Sequence, residues 1–205
     1  MDTLLLQAVE GMKKNGFEVV QVNTAAEAKE YLLSQIDQSQ SVGIGGSVSV
    51  QSIGIVPALQ QKGCAVYTTV GADAGQVKQI RLQARMADAY LCSANAVTRT
   101  GKLVLVDGRG NRVGAVCDGP EHLYFVISHS KVVDGGINTA IARIKQTACP
   151  QNTRRLGLDT PCSRTGKCGG DECGDRTICC LTLSVDHVPH DRKITVVFVE
   201  ETLGY

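Results

Sequence analysis

Phe17-Glu18-Val19-Val20-Gln21-Val22-Asn23-Thr24-Ala25-Ala26-Glu27-Ala28 reads as a short apolar strand running into a capped helix. Thr24 and Glu27 stand three residues apart, the spacing of a capping box, in which hydroxyl and carboxylate each take an orphan backbone N–H. Ala25, Ala28, Leu32 and Ile36 then give the helix one apolar stripe. Val42-Gly43-Ile44 follows as a second buried strand. Strand, amphipathic helix, strand is the βαβ unit of a parallel sheet.

Outward from this unit the alternation continues. Upstream, Leu4, Leu5, Ala8, Val9 and Met12 repeat at helical spacing, and Gly16 stops the run. Downstream, a helix from about Val50 is broken or restarted at Pro57, 64–68 is a strand, 76–86 a helix, and Ala89-Tyr90-Leu91-Cys92 a buried strand. The expected fold is α/β, a mostly parallel open sheet covered by helices, in one domain over 1–205. Beyond residue 100 the pattern changes. Residues 103–107 and 112–116 flank Gly108-Arg109-Gly110-Asn111, which predicts a hairpin. Residues 123–128 form another strand, and a helix marked by Ile137, Ala140, Ile141 and Ile144 is expected to end before Pro150. Strands 181–185 and 194–199 are expected to close the chain as a hairpin around Pro189, after a cysteine-rich segment, 149–180.

Charge is balanced, 21 basic residues against 20 acidic, so no bulk field points to nucleic acid. Hydrophobic residues make up 43 % and Trp is absent, so the core rests on Val, Ile, Leu and Ala, which suits strands buried on both faces. The N-terminal apolar run lacks basic residues and breaks at Gln7, and no stretch reaches the roughly 20 apolar residues of a membrane span. The expected location is cytoplasmic, where disulfides are disfavoured. Nine cysteines then need a reason, and five of them, Cys162, Cys168, Cys173, Cys179 and Cys180, are clustered. Glycines let that segment fold back, while Arg164, Lys167 and Arg176 favour thiolate. Four converging thiolates suit a 4Fe–4S cluster or tetrahedral zinc. The expected ligands are Cys162, Cys168, Cys173 and Cys179, with Cys180 as the alternative to Cys179. Free surface thiols or a redox disulfide pair are the plainer readings of the same cluster.

Gly45-Gly46-Ser47-Val48-Ser49 lies between a strand and a helix, and Ser93-Ala94-Asn95-Ala96-Val97-Thr98 follows another strand. Both loops should lie on the carboxyl edge of the sheet, where open α/β sheets bind ligands. A small anion is expected near Gly45, Gly46, Ser47, Ser49, Asn95, Thr98 and Asp107.

Together these segments resemble the lactate-utilisation (LUD) domain family. The resemblance rests on Gly45-Gly46-Ser47 with Ile53-Gly54-Ile55, on the run Ala87-Asp88-Ala89-Tyr90-Leu91-Cys92-Ser93-Ala94-Asn95-Ala96-Val97-Thr98, and on Gly101-Lys102-Leu103-Val104-Leu105-Val106-Asp107-Gly108. Thr160-Pro161-Cys162, Thr165-Gly166-Lys167-Cys168 and Leu203-Gly204-Tyr205 complete it, although four residues rather than the expected two separate Cys168 from Cys173. It implies a fold like that of the sugar-phosphate isomerase and CoA-transferase superfamily. It also implies a redox accessory role in lactate or other 2-hydroxy-acid utilisation, with iron–sulfur protein partners. The alternatives are a superfamily-type enzyme acting on a phosphorylated or CoA-linked small molecule, and a zinc-stabilised interaction module. Covalent CoA transfer needs a glutamate nucleophile, and neither loop contains one. For an isomerase, Asp107 is the nearby candidate base.

Overall fold

In the computed structural model, which describes residues 3–170 and 172–205, the first half of the chain follows the predicted alternation. It runs α1 (Thr3–Lys14), β1 (Glu18–Val22), α2 (Ala25–Gln35), β2 (Ser41–Ile44), α3 (Val48–Ser52), α4 (Ile55–Lys62), β3 (Ala65–Thr68), α5 (Val77–Arg85) and β4 (Ala89–Cys92). Met1 and Asp2, where the N-terminal reading starts, and Asp171 of the cysteine segment lie outside the described residues. Thr24 caps α2 as expected, its hydroxyl accepting from the Glu27 N–H at 3.1 Å, but the Glu27 carboxylate accepts from the Asn23 N–H at 2.7 Å instead of closing the box on Thr24.

The second half runs β5 (Ala96–Thr98), β6 (Leu103–Asp107), α6 (Asn111–Asp118), β7 (His122–Ser128), β8 (Val132–Val133), α7 (Ile137–Arg143), α8 (Cys149–Arg155), α9 (Pro161–Thr165), β9 (Leu181–Val185) and β10 (Lys193–Val199). Six strands form a wholly parallel sheet in the order β1-β10-β7-β4-β2-β3, and four form a smaller mixed sheet in the order β8-β5-β6-β9. Strand alternation divides the main core in two. Leu123, Phe125 and Ile127 of β7 face Leu5, Val9 and Met12 of α1, while Tyr124 and Val126 face Leu32, Ile55 and Leu59 on the opposite side. Each large side chain buried this way contributes about 1.5–3 kcal/mol. Among the described residues no helix is long and apolar enough to cross a membrane.

Three expectations are corrected. Residues 112–116 belong to a helix, not to the second strand of a hairpin. Gly110, at φ 83°, turns the chain, and the Asp107 carboxylate accepts from the N–H groups of Arg109, Gly110 and Arg112 at 2.9, 3.0 and 3.1 Å, which starts α6. The closing strands do not pair with each other: β9 joins β6 antiparallel, and β10 inserts between β1 and β7. Burial decides this, since β10 is apolar on both faces and fits only a doubly covered position. Pro150 does not end the helical run. A π-turn over Ile144–Ala148 widens the backbone, and Pro150 enters the first turn of α8, where its missing N–H costs nothing.

Gly101 is fixed by a close approach. It sits at φ 80° in the β5–β6 turn, and a Cβ there would lie 2.2 Å from the Met12 backbone nitrogen of α1. Gly101→Ala is expected to lower unfolding free energy by about 3 kcal/mol, from left-handed strain plus overpacking. Urea denaturation followed by far-UV circular dichroism measures this in a chain without Trp.

Candidate functional site

Both predicted loops leave the same carboxyl edge of the parallel sheet, one after β2 and one after β4. Between them lies a cavity of about 280 Å³. Gly46, Ser47, Ser49, Asn95 and Asp107 line it. Gly45 packs beneath the loop, where a Cβ would stand 2.8 Å from Arg112 Cγ and the Tyr90 hydroxyl. Thr98 lies away from the cavity, its hydroxyl accepting from the Lys102 N–H at 3.0 Å inside the β5–β6 turn.

The polar loop residues hold the framework. Ser47 caps α3 through the Val50 N–H at 3.3 Å. Asn95 Oδ1 accepts from the Val106 N–H at 3.0 Å, and its backbone carbonyl accepts from Arg143 at 2.8 Å. Arg112 Nε lies 3.5 Å from Asp107 Oδ2, and Arg112 Nη2 donates to the Val106 carbonyl at 2.7 Å. Burial would raise the Asp107 carboxyl, but Arg112 and the loop N–H groups outweigh it and hold Asp107 below the usual carboxylate range. A carboxylate so engaged is a cap and a counter-ion, not an available proton acceptor.

Sequence reasoning missed Lys131. It follows β7 at the same carboxyl edge as the two loops, and it is 4 % exposed. Its ammonium donates to Ser49 Oγ at 2.8 Å, to Ser93 Oγ at 3.0 Å and to the Ala94 carbonyl at 3.3 Å. Both serine hydroxyls donate onward, to the Leu203 and Ala94 carbonyls, and so offer Lys131 only lone pairs. Burial, then the nearby guanidiniums of Arg143 and Arg112, push Lys131 down to about 7. The sequence signal was its position, a lysine three residues beyond the end of a buried strand.

Gly46 is exposed at the mouth, and a Cβ there would meet nothing within 4 Å. Gly46→Val is therefore expected to fold normally, with an unchanged denaturation midpoint, and to weaken binding of a small carboxylate by about tenfold through occupied space. Calorimetric titration with lactate measures it. Unchanged affinity would reduce the loop to a structural turn.

The cysteine segment closes one side of this cavity. Cys149 lines it, and its sulfur is 3.3 Å from that of Cys179. This contact raises the Cys149 thiol and lowers that of Cys179, so thiolate character rests on Cys179. Thr160 caps α9 with a capping box completed by Ser163, and so places Cys162 beneath α8, 3.3 Å from Thr160 Oγ1 and 3.5 Å from Thr153 Oγ1. Cys162 and Cys168 lie near enough to act electrostatically on both Cys149 and Cys173. Cys173 contacts the Gly170 carbonyl, while Cys180 is exposed beside the Thr177 carbonyl. Among the described residues no three His, Cys, Asp or Glu side chains surround one point as a metal site. The segment's fit to a metal lies in its donors. Cys149, Cys162, Cys168, Cys173 and Cys179 lie near enough to act on one another electrostatically, and the 3.3 Å Cys149–Cys179 separation is of the order of a tetrahedral zinc–thiolate edge, about 3.8 Å.

The LUD domain family model matches residues 5–199 of the chain. No curated protein matches it. Among solved structures it resembles a DUF162 family protein from Deinococcus radiodurans, with 15 % identity, 96 % of each chain covered and a TM-score of 0.56, a likeness of fold.

Proposed function

The chain belongs to the LUD domain family, and from that premise we propose that it is a redox accessory protein of 2-hydroxy-acid utilisation, holding a small carboxylate anion against a thiolate-bound iron–sulfur centre. The observation that carries this reading is the position of Cys149, which is at once part of the cavity wall and in sulfur contact with Cys179. Cys162, Cys168, Cys173 and Cys179 are the proposed ligands, with Cys149 as a fifth donor available from α8. An iron–sulfur centre supplies one-electron transfer when bound. The chain's own residues do the rest. Lys131 supplies the charge that holds an anion at the cavity floor, Ser49 and Ser93 position its ammonium, and Arg112, paired with Asp107, ties the loop after β4 to β6.

Protein prepared and reconstituted without oxygen should show broad visible absorbance that bleaches on reduction and shifts when lactate or pyruvate is added. Tight binding of one zinc with no incorporation of iron would replace this reading with the zinc-stabilised interaction module. In the isomerase alternative Asp107 would have to act as base from a carboxylate that already holds the start of α6.

A further inference from the structure

Among the described residues, Lys131 is buried without a counter-ion. Its neighbours are two hydroxyls and a carbonyl, and the charged groups that act on it, Arg143 from α7 and Arg112 from α6, are themselves cations. Asp107, the carboxylate of the cavity wall, is already paired with Arg112. An ammonium at this depth is costly unless an anion joins it. The cavity also carries more cations than one carboxylate group can satisfy. Arg81, Arg109 and Arg155 line it as well. Arg109 and Arg155 are exposed at its rim, and the buried Nε of Arg81 has no hydrogen-bond partner.

Resting on the reading of this cavity as the ligand site, we propose that its ligand is a 2-hydroxy acid with two anionic groups. The carboxylate is the counter-ion of Lys131 on the floor, and a second carboxylate or phosphate meets Arg81, Arg109 and Arg155 at the rim. A monoanion such as lactate would satisfy the floor and leave the rim arginines unmatched. The two subsites differ in what they demand. Lys131 is enclosed and its three N–H donors already reach Ser49, Ser93 and the Ala94 carbonyl, so one oxyanion meets its charge by replacing the longest of these bonds, that to Ala94 at 3.3 Å. The rim arginines are long and solvated, and so accept either a planar carboxylate or a tetrahedral phosphate.

The floor subsite has a pH signature. Without ligand, Lys131 is held down to about 7 by burial and by Arg143 and Arg112. A bound anion favours the ammonium and raises that value. Affinity is therefore full below about pH 7 and falls by about tenfold per pH unit above it, until the bound-state value is passed.

The test is calorimetric titration of the full chain with lactate, malate and 3-phosphoglycerate, which separate one anionic group from two and carboxylate from phosphate at the rim. Malate or 3-phosphoglycerate, or both, should bind at least about tenfold more tightly than lactate. Arg109→Gln with Arg155→Gln, both exposed, should bring the dianions to the lactate level and cost lactate far less than it costs the dianions. Lys131→Met should weaken all three on the order of 100-fold and abolish the pH dependence. Because Lys131→Met removes an uncompensated buried charge, it should unfold no earlier than wild type, and circular dichroism checks this. Lactate binding as tightly as both dianions, or unchanged affinities in Lys131→Met, would overturn the two-anion inference alone. No binding of any of the three would overturn the ligand-site reading with it.

Discussion

Replacing Asp107 by alanine is expected to lower unfolding free energy by about 3–5 kcal/mol, the cost of stripping one partner from a buried ion pair. The carboxylate is 5 % exposed, and Arg112, which faces it, stays behind almost as deeply enclosed. Removing it also orphans the backbone N–H groups of Arg109, Gly110 and Arg112, which start α6. Asp107→Asn keeps the shape and at least one acceptor, so it should cost less than alanine, and the difference isolates the charge. The pH dependence has a definite sign. The folded value lies below the ordinary aspartate value of 3.8, so the stabilisation is present above that value and is lost as pH falls through the lower folded one. Asp107→Ala should therefore flatten the acid limb of the stability curve below about pH 4. Urea midpoints measured from neutral pH down to acid decide this. A loss under about 1 kcal/mol would mean that the α6 turn holds itself without the carboxylate.

The same residue shows where the sequence was legible and where it was not. The first half of the chain reads correctly because each βαβ unit carries its own signals: a capping box at Thr24, an apolar stripe on α2, and short apolar strands between helices. The run 103–116 misleads because its decisive signal is a single carboxylate. Apolar residues on either side of a glycine-rich turn fit a hairpin, and only the four-atom reach of Asp107 to the following N–H groups turns the second run into a helix. The closing strands fail for a different reason. Adjacency in sequence suggests pairing, but β10 is apolar on both faces and burial sends it between β1 and β7.

At the site, one loop was legible as a strand-to-helix glycine turn and the other as the segment after a buried strand on the same sheet edge, whereas the cation between them was not. Lys131 carries no motif and owes its role to three acceptors contributed by α3 and the loop after β4. Cys149 was passed over because it stands apart from the cysteine box in sequence. The continuous run from α7 through the π-turn into α8 brings it back against Cys179. Compositional clustering finds thiols that are neighbours along the chain, and it misses one delivered by a helix.

That difference sets the last expectation. After anaerobic reconstitution, Cys179→Ala should lower the affinity for the centre at least about 100-fold, since even partners that only orient a ligand are worth 10–100-fold. Cys180→Ala should retain full metal content, because its sulfur is exposed and turned to the Thr177 carbonyl. Cys149→Ala is the informative variant. Its thiol touches Cys179 and lines the cavity, so if it ligates, its loss should remove the centre as completely as loss of Cys179. If it serves only as cavity wall, iron content should persist while the spectral response to added anion changes. Equal retention in Cys149→Ala and Cys179→Ala, with loss in Cys180→Ala, would place the centre on the outer face of the segment and separate it from the cavity.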